Sequence, residues 1–91
     1  MTWRLRADVS TADTDDGMVL LDERAGRYWQ LNATGALVLR KLLDGAAPHQ
    51  VAQTLADRHP VSSEQAAADV AALVERLRTA GLVTDRRRGR P

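Results

Sequence analysis

The sequence predicts an α+β domain in which three antiparallel strands precede three helices. In roughly the first third of the chain, polar and apolar side chains alternate in short runs, which is the period of a half-buried strand. After Asn32 the apolar residues recur at three- and four-residue steps, which is the period of a helix that packs on one face. The 91 residues are enough for one domain with a modest core.

Three short runs are predicted to form the sheet. The stretches 3–9 and 27–31 alternate, 18–22 is a short apolar run, and the polar stretch 10–17 is predicted to connect the first two strands. Residues 23–26 are predicted to form a tight hairpin turn that ends in a glycine. Because the connections are short, we expect an antiparallel meander.

Capping residues and prolines delimit the first two helices. Asn32 is a suitable N-cap, because its side-chain oxygen can accept an N–H of the first turn, and Gly45 is expected to end that helix. The second helix is predicted to begin near Pro48 and to run to about His59, where Pro60 stops it.

The third helix is predicted to follow Ser62 or Ser63 and to end at Gly81. Residues 82–84 are expected to pair briefly with the sheet. The complete order resembles a winged helix-turn-helix with the sheet placed first.

The charge is unevenly distributed along the chain. Four of the 13 basic residues lie in the last six positions, so the rest of the chain is mildly acidic although the net charge is +1. We expect one domain over 1–85 and a basic, disordered tail over 86–91. A mildly acidic body is a poor platform for nucleic acid.

Few residues are suited to catalysis. Cysteine is absent, which excludes disulfides and thiolate metal sites. His49 and His59 are predicted near opposite ends of the second helix, about 15 Å apart, too far to share a metal ion. Asp13, Asp15 and Asp16 lack the spacing of an EF-hand loop. The sequence therefore predicts a protein that is not an enzyme and that needs no cofactor.

No signal peptide and no apolar run of ~20 residues is present in the sequence. We therefore expect a cytoplasmic location and no membrane partner.

A DNA-binding regulator is the alternative from a different class, because helix-turn-helix proteins commonly bind DNA. The third helix would then enter the groove, but it carries Glu64, Asp69 and Glu75, which repel phosphate. We therefore expect no nucleic-acid partner.

Two stretches, VLLDERAGRYWQLNATGALVLRKLLDG and VAQTLADRHPVSSEQAAADVAALVERLRTAGLV, resemble the PqqD-like family, whose members are called RiPP recognition elements. The resemblance covers residues 3–84. The elements that carry it are Val19-Leu20-Leu21, Gly26, Tyr28-Trp29-Gln30-Leu31-Asn32, Leu42-Leu43-Asp44-Gly45, Ser62/Ser63, Asp69 and Gly81-Leu82.

The resemblance implies a protein that binds the leader segment of a ribosomally made precursor peptide. We expect it to be a monomer when free. The leader would add a strand to the third predicted strand and would be presented to a maturation enzyme, which is a leader peptidase in lasso peptide pathways. We favour that pathway; the alternative is a peptide carrier in pyrroloquinoline quinone synthesis. The expected leader-binding residues are Arg27, Tyr28, Trp29, Gln30, Leu31, Asp69, Val70, Leu73, Val74, Arg76 and Leu77.

The third predicted strand also has independent physical features of a binding edge. It ends a meander and contains no proline, so its free N–H and C=O groups must be paired, blocked or used. Trp29 and Leu31 are expected to face the helices, and Tyr28 the opposite side. Trp29 could equally be a plain core residue. The resemblance implies that Asp69 meets a basic leader residue; otherwise it would remain solvated or pair with an arginine of this chain.

Overall fold

Two antiparallel sheets and three helices make up the computed structural model, which describes residues 3–58 and 60–85. The three-stranded sheet has the order β2-β3-β4 and precedes the helices, which confirms the predicted fold class. The predicted tail, 86–91, lies outside the described residues. The strands are β1 (Trp3–Leu5), β2 (Val9–Thr14), β3 (Gly17–Asp22), β4 (Arg27–Asn32) and β5 (Val83–Asp85), and the helices are α1 (Ala33–Leu43), α2 (Pro48–Arg58) and α3 (Ser63–Thr79).

The amino-terminal strands differ from the prediction. The stretch 3–9, predicted as one strand, is divided between β1, which pairs with β5, and β2, which pairs with β3. β2 runs to Thr14 through residues predicted to be a connection, and only two residues separate it from β3. Val9 is its one buried residue. Because β2 is an outer strand with little buried surface, the alternation of apolar residues that marks a half-buried strand is absent from it.

The ends of the helices follow the predicted local chemistry. The side chain of Asn32 accepts the backbone N–H of Gly35 at 2.8 Å, which caps α1. Ser62, rather than Ser63, caps α3, since its hydroxyl oxygen accepts the N–H of Gln65 at 3.0 Å. Each of these contacts satisfies an N–H group that the first turn of a helix leaves without a partner.

The helices lie on one face of the three-stranded sheet: α1 packs against β3 and β4, α3 lies beside β4, and α2 packs mainly against α3. Met18, Leu20 and Leu31 project from that face, and Leu20 is completely buried. On the opposite face, Leu21 is 40% exposed and Tyr28 is 73% exposed. Burial on one face only fixes the register of β4, because a shift by one residue would exchange its buried and exposed side chains. The helical part of the core consists of Ala36, Val38, Leu39, Leu42, Val51, Ala52, Leu55, Ala66, Val70 and Leu77.

Gly17 allows β3 and β4 to come together at the point where β4 passes into α1. It pairs with Asn32 in the sheet register. A Cβ atom at Gly17 would overlap the carbonyl oxygen of Leu31, and the φ angle of Gly17 is 155°. This end of the sheet therefore requires a residue without a side chain.

We predict that Gly17→Ala destabilises the protein much more than Gly26→Ala. Both residues have a positive φ angle, but a Cβ atom at Gly26 would meet no heavy atom within 4 Å. The expected loss in the free energy of unfolding is about 1 kcal/mol at Gly26 and about 2–4 kcal/mol at Gly17, where steric overlap adds to backbone strain. Urea unfolding monitored by tryptophan fluorescence measures both losses. Equal losses would contradict the close approach at Gly17.

Candidate functional site

β4 forms one edge of the three-stranded sheet. It pairs with β3 through six consecutive residues, from Arg27 opposite Asp22 to Asn32 opposite Gly17, without a bulge. No other strand of the described part of the chain pairs with it. β4 therefore presents one row of backbone N–H and C=O groups that an extended peptide can reach.

The side chains of β4 divide between the two faces of the sheet as the alternation predicts. Leu31 is buried and Trp29 is half-buried on the helix-facing side, whereas Tyr28 and Gln30 are exposed. Trp29 lies opposite the fully buried Leu20 on β3. Trp29 thus belongs partly to the core, while the rest of its surface remains accessible.

A groove lies between Trp29 and α3. Its volume is about 510 Å³, and we call it the β4–α3 groove. Ala72 and Ala80 contribute only methyl groups to its helical wall, so the space beside the indole ring is left unfilled. The complete lining is Trp29, Ala72, Glu75, Arg76, Thr79 and Ala80.

Next to the groove, β4 and α3 approach more closely. The cavity between the strand and the helix has a volume of only about 20 Å³ there. Arg76 and Trp29 line both spaces, so they mark the boundary between the packed region and the open one. The residues around this narrow gap are Trp29, Gln30, Leu31, Leu73, Arg76 and Leu77.

Charged groups surround the indole ring of Trp29. The guanidinium carbon of Arg27 lies 5.6 Å from the centre of the ring, a cation–π distance. Glu75 accepts two contacts from Arg78, at 2.8 and 2.9 Å, so its charge is compensated within α3. Among the described residues, neither Arg27 nor Arg76 forms an ion pair.

The residues predicted as a site separate into two groups in the structure. Trp29, Gln30 and Leu31 of β4 meet Leu73, Arg76 and Leu77 of α3 at the narrow gap. Arg27 lies over the ring of Trp29, whereas Tyr28 is exposed on the opposite face of the sheet. Val70 is 1% exposed and lies in the core, and Val74 is partly buried against the core. Neither valine lines the groove.

Asp69 has a local partner that the sequence interpretation did not consider. Its carboxylate accepts a hydrogen bond from the side-chain amide of Gln65, one turn earlier, at 2.9 Å. The expected alternatives were a leader cation, solvent, or an arginine of this chain. Asp69 is exposed and does not line the β4–α3 groove.

Four groove residues were not predicted from the sequence. Ala72, Glu75 and Thr79 recur at three- and four-residue steps, and Ala80 lies four residues after Arg76, as residues on one helical face do. That spacing was the available signal. This spacing does not stand out in the sequence, because alanine, threonine and glutamate do not form an apolar stripe.

The described residues contain no group of three or more His, Asp or Glu side chains arranged to hold a metal ion. Asp13, from the acidic segment considered above, is instead paired with Arg40 at 2.6 Å. His59 lies outside the described residues. None of the described helices is long and apolar enough to cross a membrane.

Two solved structures are similar to this one. The first is described as "Lasso peptide synthetase B1 complexed with the leader peptide"; it is 48% identical, covers 93% of this chain and 100% of its own, and has a TM-score of 0.89. The second is described as "TbiB1 in Complex with the TbiA(beta) Leader Peptide"; it is 24% identical, covers 91% and 94%, and has a TM-score of 0.80. At that identity the second structure supports the fold alone.

No curated protein sequence shows significant similarity to the chain. The family model for coenzyme PQQ synthesis protein D (PqqD) matches residues 17–83. This match begins at β3 and extends into β5, so it includes β4, the groove and all three helices. The chain therefore belongs to the PqqD family.

Proposed function

We propose that this protein recognises the leader segment of a ribosomally made precursor peptide and presents it to a leader peptidase in lasso peptide biosynthesis. The observation that carries the proposal is the unpaired edge of β4 beside the open β4–α3 groove. The 48% identical protein, which covers nearly the whole chain and was solved with a leader peptide, supports the same function.

In this proposal the backbone and the side chains contribute separately to binding. The leader forms hydrogen bonds with β4 that are largely independent of its sequence, because they involve main-chain groups. Selectivity comes from alternate leader side chains, which point toward the helices and meet Trp29 and α3. β4 is already held in an extended conformation by β3, so it loses little conformational entropy on binding.

Asp69 and the two valines have different roles in this proposal. Val70 and Val74 support α3 from the core side and act on binding through the position of the helix. Asp69 lies about one helical turn before Leu73 and is oriented by Gln65. It is available to a basic leader residue that extends past the narrow gap.

The protein acts by binding and not by catalysis in this proposal. His49 is exposed at the beginning of α2, and the groove is lined by the side chains of Trp, Ala, Glu, Arg and Thr. Glu75 is the only carboxylate in that lining, and it is engaged by Arg78. Cleavage of the leader is therefore assigned to the partner peptidase.

A peptide carrier in pyrroloquinoline quinone synthesis is the second candidate, because the matching family model carries that description. The same edge and groove would then bind a different precursor. The 48% identity to a lasso peptide synthetase B1 favours the lasso pathway. Comparing the binding of precursors from the two pathways distinguishes the candidates.

We predict that the leader binds as an added strand. The probe is the leader peptide found with the 48% identical relative. Methylating its backbone nitrogens one at a time should weaken binding at every second position, because alternate N–H groups of an added strand face β4. Amide shifts should cluster in 26–32 and 66–78. Uniform effects of methylation, or shifts that cluster in 46–58, would contradict strand addition.

Filling the groove should block the leader. Ala72 lines the groove, whereas Ala67 is exposed on α3 about 180° around the helix from Arg76. We expect Ala72→Phe to weaken binding of the probe by about tenfold or more, since its ring occupies the space a leader side chain needs. The matched control, Ala67→Phe, should bind normally. Calorimetric titration measures both affinities, and thermal unfolding should show both variants folded.

The DNA-binding alternative predicts a different dependence on salt. α3 exposes Glu64, Asp69 and Glu75, which oppose a phosphate backbone. We therefore expect the affinity for the leader probe to change by less than about tenfold between 50 and 200 mM salt, whereas a protein with several phosphate contacts loses ~10³-fold or more. Fluorescence anisotropy with labelled peptide and labelled duplex measures both. Tight, steeply salt-dependent duplex binding would favour a regulator.

A further inference from the structure

Two arginines, Arg27 and Arg76, lie near Trp29 and bear on which peptide side chains the β4–α3 groove can accept. Arg27 lies over the indole ring with its guanidinium carbon at 5.6 Å from the ring centre. Arg76, on α3, lines both the groove and the narrow gap beside it, as Trp29 does. Two cationic groups, one from the strand and one from the helix, therefore border a single apolar surface.

The nearby carboxylates are engaged elsewhere. Asp22 lies opposite Arg27 in the sheet, but its Oδ1 atom accepts the backbone N–H groups of Arg24 and Ala25 at 3.1 and 3.2 Å. It therefore holds the β3–β4 turn. Within the described ranges, no carboxylate lies within 4.0 Å of the guanidinium nitrogens of Arg27.

Glu75 lines the groove and is paired with Arg78. Its two carboxylate oxygens accept contacts from Arg78 at 2.8 and 2.9 Å, and one of them also accepts the hydroxyl of Thr79 at 3.3 Å. Asp69 is hydrogen-bonded to Gln65 and lies outside the groove lining. Near Trp29, Arg27 and Arg76 are therefore the two cationic groups for which no ion pair is formed among the described residues.

We propose that the bound leader carries an acidic side chain two residues from the apolar side chain that fills the β4–α3 groove. This inference rests on the proposed function. In an added strand, the residue beside Trp29 and the residue beside Arg27 point to the same face and are two positions apart. The apolar side chain enters the space bounded by Ala72 and Ala80, and the carboxylate meets the guanidinium groups of Arg27 and Arg76.

Because the added strand shields this contact from water, the contact contributes more to the binding free energy than an exposed ion pair does. Exposed pairs contribute little, because water screens them and the side chains lose entropy. A leader strand covers part of the ring of Trp29 and removes water from the guanidinium group above it. An acidic residue then reduces the net charge from +2 to +1, whereas a basic residue raises it to +3, so selectivity depends strongly on the sign of the charge.

The test replaces each residue of the leader probe by Glu, Gln and Lys in turn. At one position, two residues from the main apolar anchor, we expect Glu to bind about tenfold more tightly than Lys. This preference should fall below about threefold in the double variant Arg27→Gln/Arg76→Gln and remain in the control Arg4→Gln, which lies on β1. The Nε–H signals of Arg27 and Arg76 should shift when the Glu peptide is added.

The possible outcomes separate this inference from the proposed function. If the unmodified probe binds but Glu and Lys are equivalent at every position, the acidic contact is wrong and leader recognition stands. The contact is also wrong if the preference survives in the double variant. If the probe does not bind at all, the proposed function fails together with this inference. Thermal unfolding should show that the arginine variants, whose side chains are exposed, remain folded.

Discussion

The direct passage from β4 into α1 is the constraint on which the site depends. Asn32 is the last residue of the strand and also the N-cap of the helix, so no flexible segment separates them. Its side chain holds the first turn of α1, and its backbone lies opposite Gly17 in the sheet. β4 therefore cannot slide or rotate independently of the core. A rigid edge of this kind is a good template for another strand, because it is ordered before the ligand arrives.

The fold was largely predictable because the residues that start each helix and turn favour locally the same elements that the complete fold contains. Asn32, Ser62 and Pro48 mark helix starts by mechanisms that act within one turn. β2 was not recognised, since an outer strand with one buried residue lacks the alternation on which strand prediction depends. Pairing of residues 82–84 with the sheet was expected, but no local pattern specifies that β5 pairs with β1, at the other end of the described chain.

The strand side of the site was predictable because the alternation of side chains along β4 is a local pattern. Trp29 and Leu31 follow the period of a strand, so the helix-facing side of β4 could be assigned from sequence. The wall formed by α3 could not, because its main feature is the space left by Ala72 and Ala80. Small residues produce no hydrophobic signal, and whether they create a groove depends on how far away the opposite wall lies. The hydrogen bond from Gln65 to Asp69 was likewise one of several local possibilities.

The adjacent Tyr28 and Trp29 place one aromatic side chain of β4 on each face of the sheet. Trp29 packs against the face that contains Leu20 and still forms a wall of the groove, whereas Tyr28 stands 73% exposed on the other face. A leader strand beside β4 would have side chains on both faces, so each aromatic residue has a different set of leader positions within reach. The backbone edge supplies an attraction common to many extended peptides. In the proposed function, discrimination among them would then come from the shape of the groove, the sign of the charge around Trp29 and the exposed ring of Tyr28.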